Sequence, residues 1–277
     1  MKNKVKAILS AALVAILVFT GCSSAGENNK GEEKDTFKVG LEAAYAPFNW
    51  TQKDDSNGAV KIEGSSDYAG GYDVQIAKKI ADALGKELVI VKTEWTGLIP
   101  ALQSGTIDAI VAGMSPTAER LESIDFSDIY YKSDLVIVVK NGGDYDDATT
   151  LADFSGAKIT GQLNTFHYSV IDQIDGVVKE TAMDDFSAMR VALESGMIDG
   201  YVTERPEGIS AEMANDSFKM IELQDGFETS DEDTAIAVGV NKGSDLTEKI
   251  NEILSEITEE ERQTLMDEAI KNQPAAQ

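Results

Sequence analysis

Cysteine is almost missing from this chain: Cys22 is the only one, so no disulfide can form within it and no thiolate cluster can hold a metal. Histidine is equally scarce. His167 stands alone near an expected helix start, where a structural role is the ordinary reading, and no His/Cys/carboxylate group has metal-ligand spacing. No metal or other cofactor is expected. Basic charge is thin as well. Lys and Arg number 24 against 49 Asp and Glu, a net charge of -25, which argues against a nucleic-acid partner and against adsorption to anionic lipid or wall polymers. Phosphate-binding glycine loops are absent, both the Walker type and Gly-x-Gly-x-x-Gly. Acidic runs at Asp184-Asp185 and Asp231-Glu232-Asp233 sit in turn-like settings, where solvation or capping is their ordinary use. Enzymatic constellations are scarce, and no enzymatic activity is expected.

Long apolar runs are missing too, with one exception at the start. Lys2, Lys4 and Lys6 precede an almost unbroken apolar run from Ala7 to Thr20, shorter than the ~20 residues that span a bilayer comfortably. A basic start, apolar middle and small-residue exit describe a secretory signal over residues 1–21. Phe19-Thr20-Gly21-Cys22 resembles a bacterial lipobox, with Phe19 in place of the usual leucine, so Cys22 is expected to become the lipidated N-terminus. Residues 22–36 are small, polar and charged and should form a flexible tether. The expected product is anchored to the membrane by lipid without spanning it, on the extracellular face.

From Phe37 onward, short apolar runs alternate with helical patterns. Strands are expected at 37–41, 88–91 and 109–112, with helices at 72–84 and 98–104 between them, closed by Gly85 and Gly105. This β-α-β-α-β order implies a largely parallel sheet flanked by helices, whose ligands sit beyond the carboxyl ends of the strands. A second set follows: strands at 135–139, 158–160, 177–180 and 200–202, with helices at 165–174 and 185–195. A late strand at 235–240 precedes two amphipathic helices at 245–257 and 260–271. One internal echo links the sets. Ala101-Leu-Gln-Ser-Gly-Thr-Ile-Asp-Ala-Ile110 and Ala192-Leu-Glu-Ser-Gly-Met-Ile-Asp-Gly-Tyr201 agree at Ala, Leu, Ser, Gly, Ile and Asp. Each is a helix end, a glycine cap and an entering strand, as expected of two similar α/β lobes that feed one cleft.

The residues after each echo are the candidate binders. Ser115-Pro116 has the pattern of a helix start, serine as cap. Arg120 follows one turn later with no acidic partner at helical spacing, a carboxylate receptor or simply a solvated arginine. Asn164-Thr165 opens a second anion-receptive helix start, or an ordinary cap. Glu204 ends a strand before a helix containing Pro206 and can take an ammonium group or complement the helix dipole. Tyr45 and Trp95 lie in loops after strands and can sandwich a ligand, whereas Phe48 and Trp50 suit packing. Glu42, just past the first strand, can meet a polar or cationic side chain.

Longer motifs tie these positions together. Ala44-Tyr-Ala-Pro-Phe48, Gly70-Gly-Tyr-Asp73, Trp95-Thr-Gly-Leu-Ile-Pro-Ala-Leu-Gln-Ser-Gly-Thr-Ile-Asp108, Ala112-Gly-Met-Ser-Pro-Thr-Ala-Glu-Arg120 and Ile124-Asp-Phe-Ser127 resemble the amino-acid branch of the bacterial extracellular solute-binding proteins, family 3, over roughly residues 37 to 270. The resemblance implies a type II periplasmic-binding-protein-like fold: lobe 1 at 37–134 plus 236–277, lobe 2 at 135–235, and hinge strands near 133–136 and 235–238. It implies that Arg120 clasps an α-carboxylate with Ser115 and the Thr165 amide. Glu204 and the Gly113 carbonyl would receive the α-ammonium, beside Met114, and Tyr45 and Trp95 would flank the side chain. The implied partners are a free amino acid, polar or basic by the presence of Glu42, and the permease of an ABC importer, with the protein a monomer. The same fold also occurs in periplasmic dehydratases and in sensor ectodomains, which are the alternatives.

Overall fold

The computed structural model describes residues 35–274, so the signal, Cys22 and nearly all of the tether lie outside the described residues. β1 (Thr36–Leu41) buries Phe37, Val39 and Leu41. A small antiparallel sheet that the sequence did not suggest comes next: β2 (Ala44–Tyr45), β3 (Asn49–Gln52), β4 (Val60–Lys61) and β5 (Tyr68–Gly70). Strands of two to four residues are too short to leave an alternating signature. α1 (Tyr72–Ala83) begins after Gly71, whose φ is 122° and whose added Cβ would meet the Phe48 carbonyl oxygen at 2.3 Å. Only glycine fits that approach. Its buried stripe includes the expected Ala77, Ile80 and Ala81, at helical spacing. β6 (Glu87–Lys92), α2 (Leu98–Gln103), β7 (Ala109–Ile110), α3 (Ala118–Ser123) and β8 (Asp125–Lys132) complete this half.

A second series follows in β9 (Leu135–Lys140), β10 (Lys158–Thr160), α4 (Phe166–Ser169), β11 (Val178–Lys179), α5 (Phe186–Glu194), β12 (Gly200–Glu204), α6 (Arg205–Ala214) and β13 (Phe218–Ile221). β14 (Ala235–Val240), α7 (Leu246–Glu256) and α8 (Glu259–Asn272) end the described chain. The helix expected at 165–174 is a correction: α4 is one turn long, followed by a 3-10 turn at Val170–Gln173.

Two five-stranded sheets carry the core. Their orders are β6-β1-β7-β14-β8 and β11-β10-β12-β9-β13. In the first, β1 runs parallel to β6 and β7, while β14 runs antiparallel to β7 and β8. In the second, β10 runs parallel to β11 and β12, while β9 runs antiparallel to β12 and β13. Each sheet is therefore mixed rather than largely parallel, because one strand of each antiparallel pair arrives from the other half of the chain or by a direct return. β8 went unnoticed in the sequence because only two of its eight residues are buried.

The chain crosses between sheets twice. It leaves the first after Lys132 and re-enters it at Ala235, which pairs with Lys132. The crossings touch where the Ser133 amide donates to the Thr234 carbonyl at 3.1 Å, and the start of α6 holds the first crossing through the Arg205 amide, which donates to the Asp134 carbonyl at 2.9 Å. The expected 235–238 segment lies wholly inside the first sheet, directly after its crossing.

The internal echo corresponds to one repeated device. Ser104 and Ser195 hydroxyls donate to the Ala101 and Ala192 carbonyls, each at 3.0 Å. Gly105 and Gly196 then turn the chain with φ of 75° and 73°. Asp108 and Asp199 each clamp the neighbouring strand: the Lys38 and Lys158 amides donate to their carboxylates, both at 2.8 Å. Their own amides donate back to the Lys38 and Lys158 carbonyls at 2.7 and 2.8 Å. The device sets β1 against β7 and β10 against β12 in matching register. A Cβ on Gly105 or Gly196 would touch nothing within 4 Å, so the backbone alone demands glycine. We expect Gly105→Ala and Gly196→Ala each to cost about 1–2 kcal/mol. That should lower Tm by about 2–8 °C in thermal denaturation followed by circular dichroism, and an unchanged Tm for both would refute the left-handed turn.

Candidate functional site

The carboxyl ends of β1 and β12 each deliver a buried glutamate to a shared crevice. Glu42 follows β1 and is 5% exposed; Glu204 ends β12 and is 2% exposed. A carboxylate so placed loses its hydration, and the ionised form is penalised. Burial pushes Glu42 up to about 8, with the charges of Asp185 and Glu94 adding and the Gln162 amide opposing. It pushes Glu204 up to about 8 as well, the nearby Glu207 adding a little and a backbone hydrogen bond opposing.

Each acid is met from the opposite sheet. Gln162, just past β10, donates through Nε2 to both Glu42 oxygens at 3.1 Å and to the Asp184 carbonyl at 3.1 Å. Tyr45, from β2, donates its hydroxyl to Glu204 Oε2. The Tyr45 ring lies flat on Phe186 of α5, centroids 4.2 Å apart and planes within 7°. His167 of α4 places Nε2 2.9 Å from Glu204 Oε1. Neither ring nitrogen has a well-formed hydrogen bond.

Arg120 supplies the positive charge. Its Nη1 donates to the Ser115 carbonyl at 2.8 Å and its Nη2 to the Asn164 carbonyl, across the crevice, at 3.1 Å. The guanidinium carbon sits 5.0 Å from the Trp95 ring centroid, a cation-π arrangement. Burial lowers its affinity for a proton to about 10, against the pull of Glu119 and Asp233, so it stays charged at neutral pH. The helix cap was misplaced in the sequence reading. Thr117, not Ser115, caps α3, accepting from the Arg120 amide, and the Ser115 hydroxyl donates instead to the Asp233 carbonyl at 2.9 Å. With its hydroxyl committed to Asp233, Ser115 leaves the first amides of α3 to Thr117, the residue after Pro116.

The remaining positions are framed from behind. Gly113 has φ 63°, and a Cβ there would lie 2.7 Å from Tyr45 Cε1; glycine is needed for both reasons. Its amide donates to the Tyr130 hydroxyl at 3.3 Å. That hydroxyl in turn donates to Asp73 Oδ1 at 2.7 Å, and Asn49 donates to Asp73 Oδ2 at 2.8 Å. The Gly-Gly-Tyr-Asp motif thus fixes the loop that carries Gly113, Met114 and Ser115. Met114 is buried and gives its carbonyl to the Ala237 amide at 3.1 Å. Thr165 caps α4 without using its side chain there; its hydroxyl donates to the Gln162 carbonyl at 2.7 Å.

Tyr45, Trp95, Gly113, Ser115, Arg120, Thr165 and His167 therefore line one enclosed space of about 10 Å³. That volume holds at most one water, so the walls must part to admit anything larger. Beside it, a cavity of about 960 Å³ shares Trp95, Arg120, Thr165 and Phe166 and opens outward. Glu42 and Glu204 flank the enclosed space through Gln162 and through Tyr45 and His167. Sequence reasoning missed Gln162, Phe186 and a place for His167 here. Gln162 stands directly after β10 as Glu42 stands after β1, a positional echo that could have revealed it. Among the described residues no group of His, Cys, Asp and Glu could hold a metal ion, and no helix is long and apolar enough to cross a membrane.

Residues 37–271 match the sequence profile of the bacterial extracellular solute-binding proteins, family 3. A probable histidine-binding protein of Campylobacter jejuni is 35% identical over 222 residues, covering 74% of this chain and 80% of that one. A glutamine-binding protein of an ABC transporter from Bacillus subtilis is 31% identical over 281 residues, covering 98% and 99%. The crystal structure of an amino acid ABC transporter substrate-binding protein from Streptococcus pneumoniae, bound to L-arginine, superposes with TM-score 0.75 at 26% identity, covering 85% of this chain and 94% of that one.

Another buried acid, Glu207, belongs to the frame. Glu207 of α6 is fully buried, paired to Arg190 at 2.7 Å and accepting from Tyr201 at 3.1 Å. It holds α6 onto α5 and so fixes the end of β12. Removing the arginine strands a buried carboxylate, and we expect Arg190→Ala to lose about 3–5 kcal/mol in urea unfolding. The double variant Arg190→Met, Glu207→Leu should recover most of the loss; equal stability of parent and Arg190→Ala would contradict this role.

Proposed function

The chain belongs to the bacterial extracellular solute-binding proteins, family 3, and from that premise we propose that it is the substrate-binding component of an ABC importer. It captures a free amino acid in the crevice between its two sheets and delivers it to the permease. The observation that carries this reading is a guanidinium and a buried carboxyl group set on opposite sides of one small space. Arg120 comes from the first-sheet side and Glu204 from the second. A free amino acid is a zwitterion, and taking it out of water leaves both of its charges needing partners.

In this reading lobe 1 comprises 37–134 plus 236–277 and lobe 2 comprises 135–235, with the paired crossings at 133–134 and 234–235 as the hinge. Arg120 takes the α-carboxylate. Two of its five N–H groups already serve Ser115 and Asn164, which leaves three for the ligand. The Thr165 amide and Ser115 assist. Glu204 and the Gly113 carbonyl take the α-ammonium, Met114 backs them, and Tyr45 and Trp95 bound the side chain. Glu42, a second buried acid away from the first, suits a polar or basic side chain. The protein binds without turnover, acts as a monomer, and is held at the extracellular face of the membrane by lipid on Cys22. Cys22→Ala should release it into the medium.

Calorimetry with a panel of amino acids tests the α-group assignment. Arg120→Ala and Glu204→Gln should each weaken every ligand by roughly 3–5 kcal/mol, about two to four decades in Kd. Glu42→Gln and Trp95→Ala should instead reorder the ligands, since they face the variable part. If folded Arg120→Ala binds within a factor of two of the parent, the amino-acid reading falls.

A further inference from the structure

His167 is the one histidine of the chain, and its setting is unusual for a structural residue. It is 4% exposed, yet neither ring nitrogen forms a well-made hydrogen bond. A buried polar group without partners costs free energy unless something is meant to meet it. Its ring is fixed by Phe166, centroid 4.4 Å away, and edge-on by Phe186 at 6.2 Å. That packing places Nε2 2.9 Å from Glu204 Oε1, on the wall of the small space beside Arg120.

The charges around the pair decide its protonation. Tyr45 donates to the other Glu204 oxygen from the first-sheet side. Arg120 faces His167 from α3 and opposes a positive imidazole. Glu207, one turn into α6, opposes a negative Glu204 but is itself neutralised by Arg190. An ion pair here would strip two charges of water. A neutral carboxyl beside a neutral imidazole avoids that cost and leaves one proton between the two groups.

We propose that Glu204 and His167 form one seat for the ligand α-ammonium, sharing a proton when the seat is empty and releasing it when an amino acid binds. Three ammonium hydrogens then meet three acceptors: the Glu204 carboxylate, the imidazole Nε2 and the Gly113 carbonyl. The released proton leaves to solvent, the ammonium keeps all three of its own, and the site's charge falls by one. Burial agrees with the neutral pair, holding the carboxyl protonated up to about 8 and the imidazole unprotonated down to about 3. The bound state carries fewer protons than the free one. Affinity therefore rises with pH until about 8, where free Glu204 gives up its proton unaided.

This rests on the amino-acid reading above, and calorimetry separates the two. The probe is whichever of L-arginine, L-glutamine and L-histidine binds the parent most tightly. At pH 7, titrations in phosphate and in imidazole buffer, which differ in ionisation enthalpy, should report release of about one proton per ligand, the count that an exchange of the shared proton for the ammonium requires. His167→Leu should bind about tenfold or more weakly, the loss expected of a hydrogen bond to a charged group. His167→Gln, whose amide oxygen can accept in its place, should stay within about threefold of the parent. Tm measured alongside confirms folding. Zero proton release by the parent overturns the proposal and leaves the amino-acid reading standing, as does a folded His167→Leu that binds within twofold. If no proteinogenic amino acid binds the parent, both fall together.

Discussion

Glu42 and Glu204 are buried where the two sheets meet, and that single constraint organises the site. A carboxylate that cannot be hydrated must find hydrogen-bond donors, take up a proton or face a cation. Glu42 finds the Gln162 amide, and Glu204 finds the Tyr45 hydroxyl and the His167 ring. Gln162 and Tyr45 each come from the other half of the chain than the acid they meet, while His167 comes from the same half as Glu204, so satisfying the acids also holds the crevice closed. Arg120 does likewise with the Asn164 carbonyl. The core supports this geometry: Tyr45 lies on Phe186, which joins apolar packing from both sheets into one cluster.

The repeated helix-glycine-strand device explains why those groups arrive where they do. In both halves an aspartate at the strand entrance clamps the first strand through two main-chain hydrogen bonds. The register of β7 against β1, and of β12 against β10, is thereby fixed at one end, and the other ends project by fixed lengths into the crevice. Gly113 and Glu204 occupy those projecting ends. Glu42 and Gln162 follow the neighbouring strands of the two sheets in the same way. Two structurally similar units facing each other thus produce a site whose chemistry is not symmetric. The first contributes a guanidinium and the second a carboxylate and an imidazole.

Much of this was legible in the chain. Hydrophobic runs located β1, β6, β9, β10 and β14 to within a residue or two, and glycine after a helical pattern located the ends of α1, α2 and α5. Arg120, Ser115, Glu204 and Tyr45 were singled out as binders, and the structure brings them around one space. Elements with little burial or few residues escaped, as β8 and the small sheet at 44–70 did, because periodicity needs length to register. The cap at Thr117 turns on where the Ser115 hydroxyl goes, to the Asp233 carbonyl in a distant segment, and Ser-Pro or apolar spacing alone does not reveal that. His167 escaped for another reason. A lone histidine is usually structural, and only the approach of its ring nitrogen to a buried acid from another element argues otherwise.

The contacts that close the crevice are also the groups proposed to hold a ligand, and that identity bears on how such a protein lets go. A ligand entering this site does not add its contacts to a bare surface. It displaces the Tyr45 and His167 contacts to Glu204, the Gln162 contact to Glu42 and the Arg120 contact to Asn164, or shares them. The free energy of binding is then a difference between two satisfied arrangements rather than the sum of one. Differences of that kind are modest even when every individual contact is a strong, charge-assisted one. A site whose closed form is nearly self-sufficient can hold its cargo firmly enough to discriminate and loosely enough to release it once its two sheets are drawn apart.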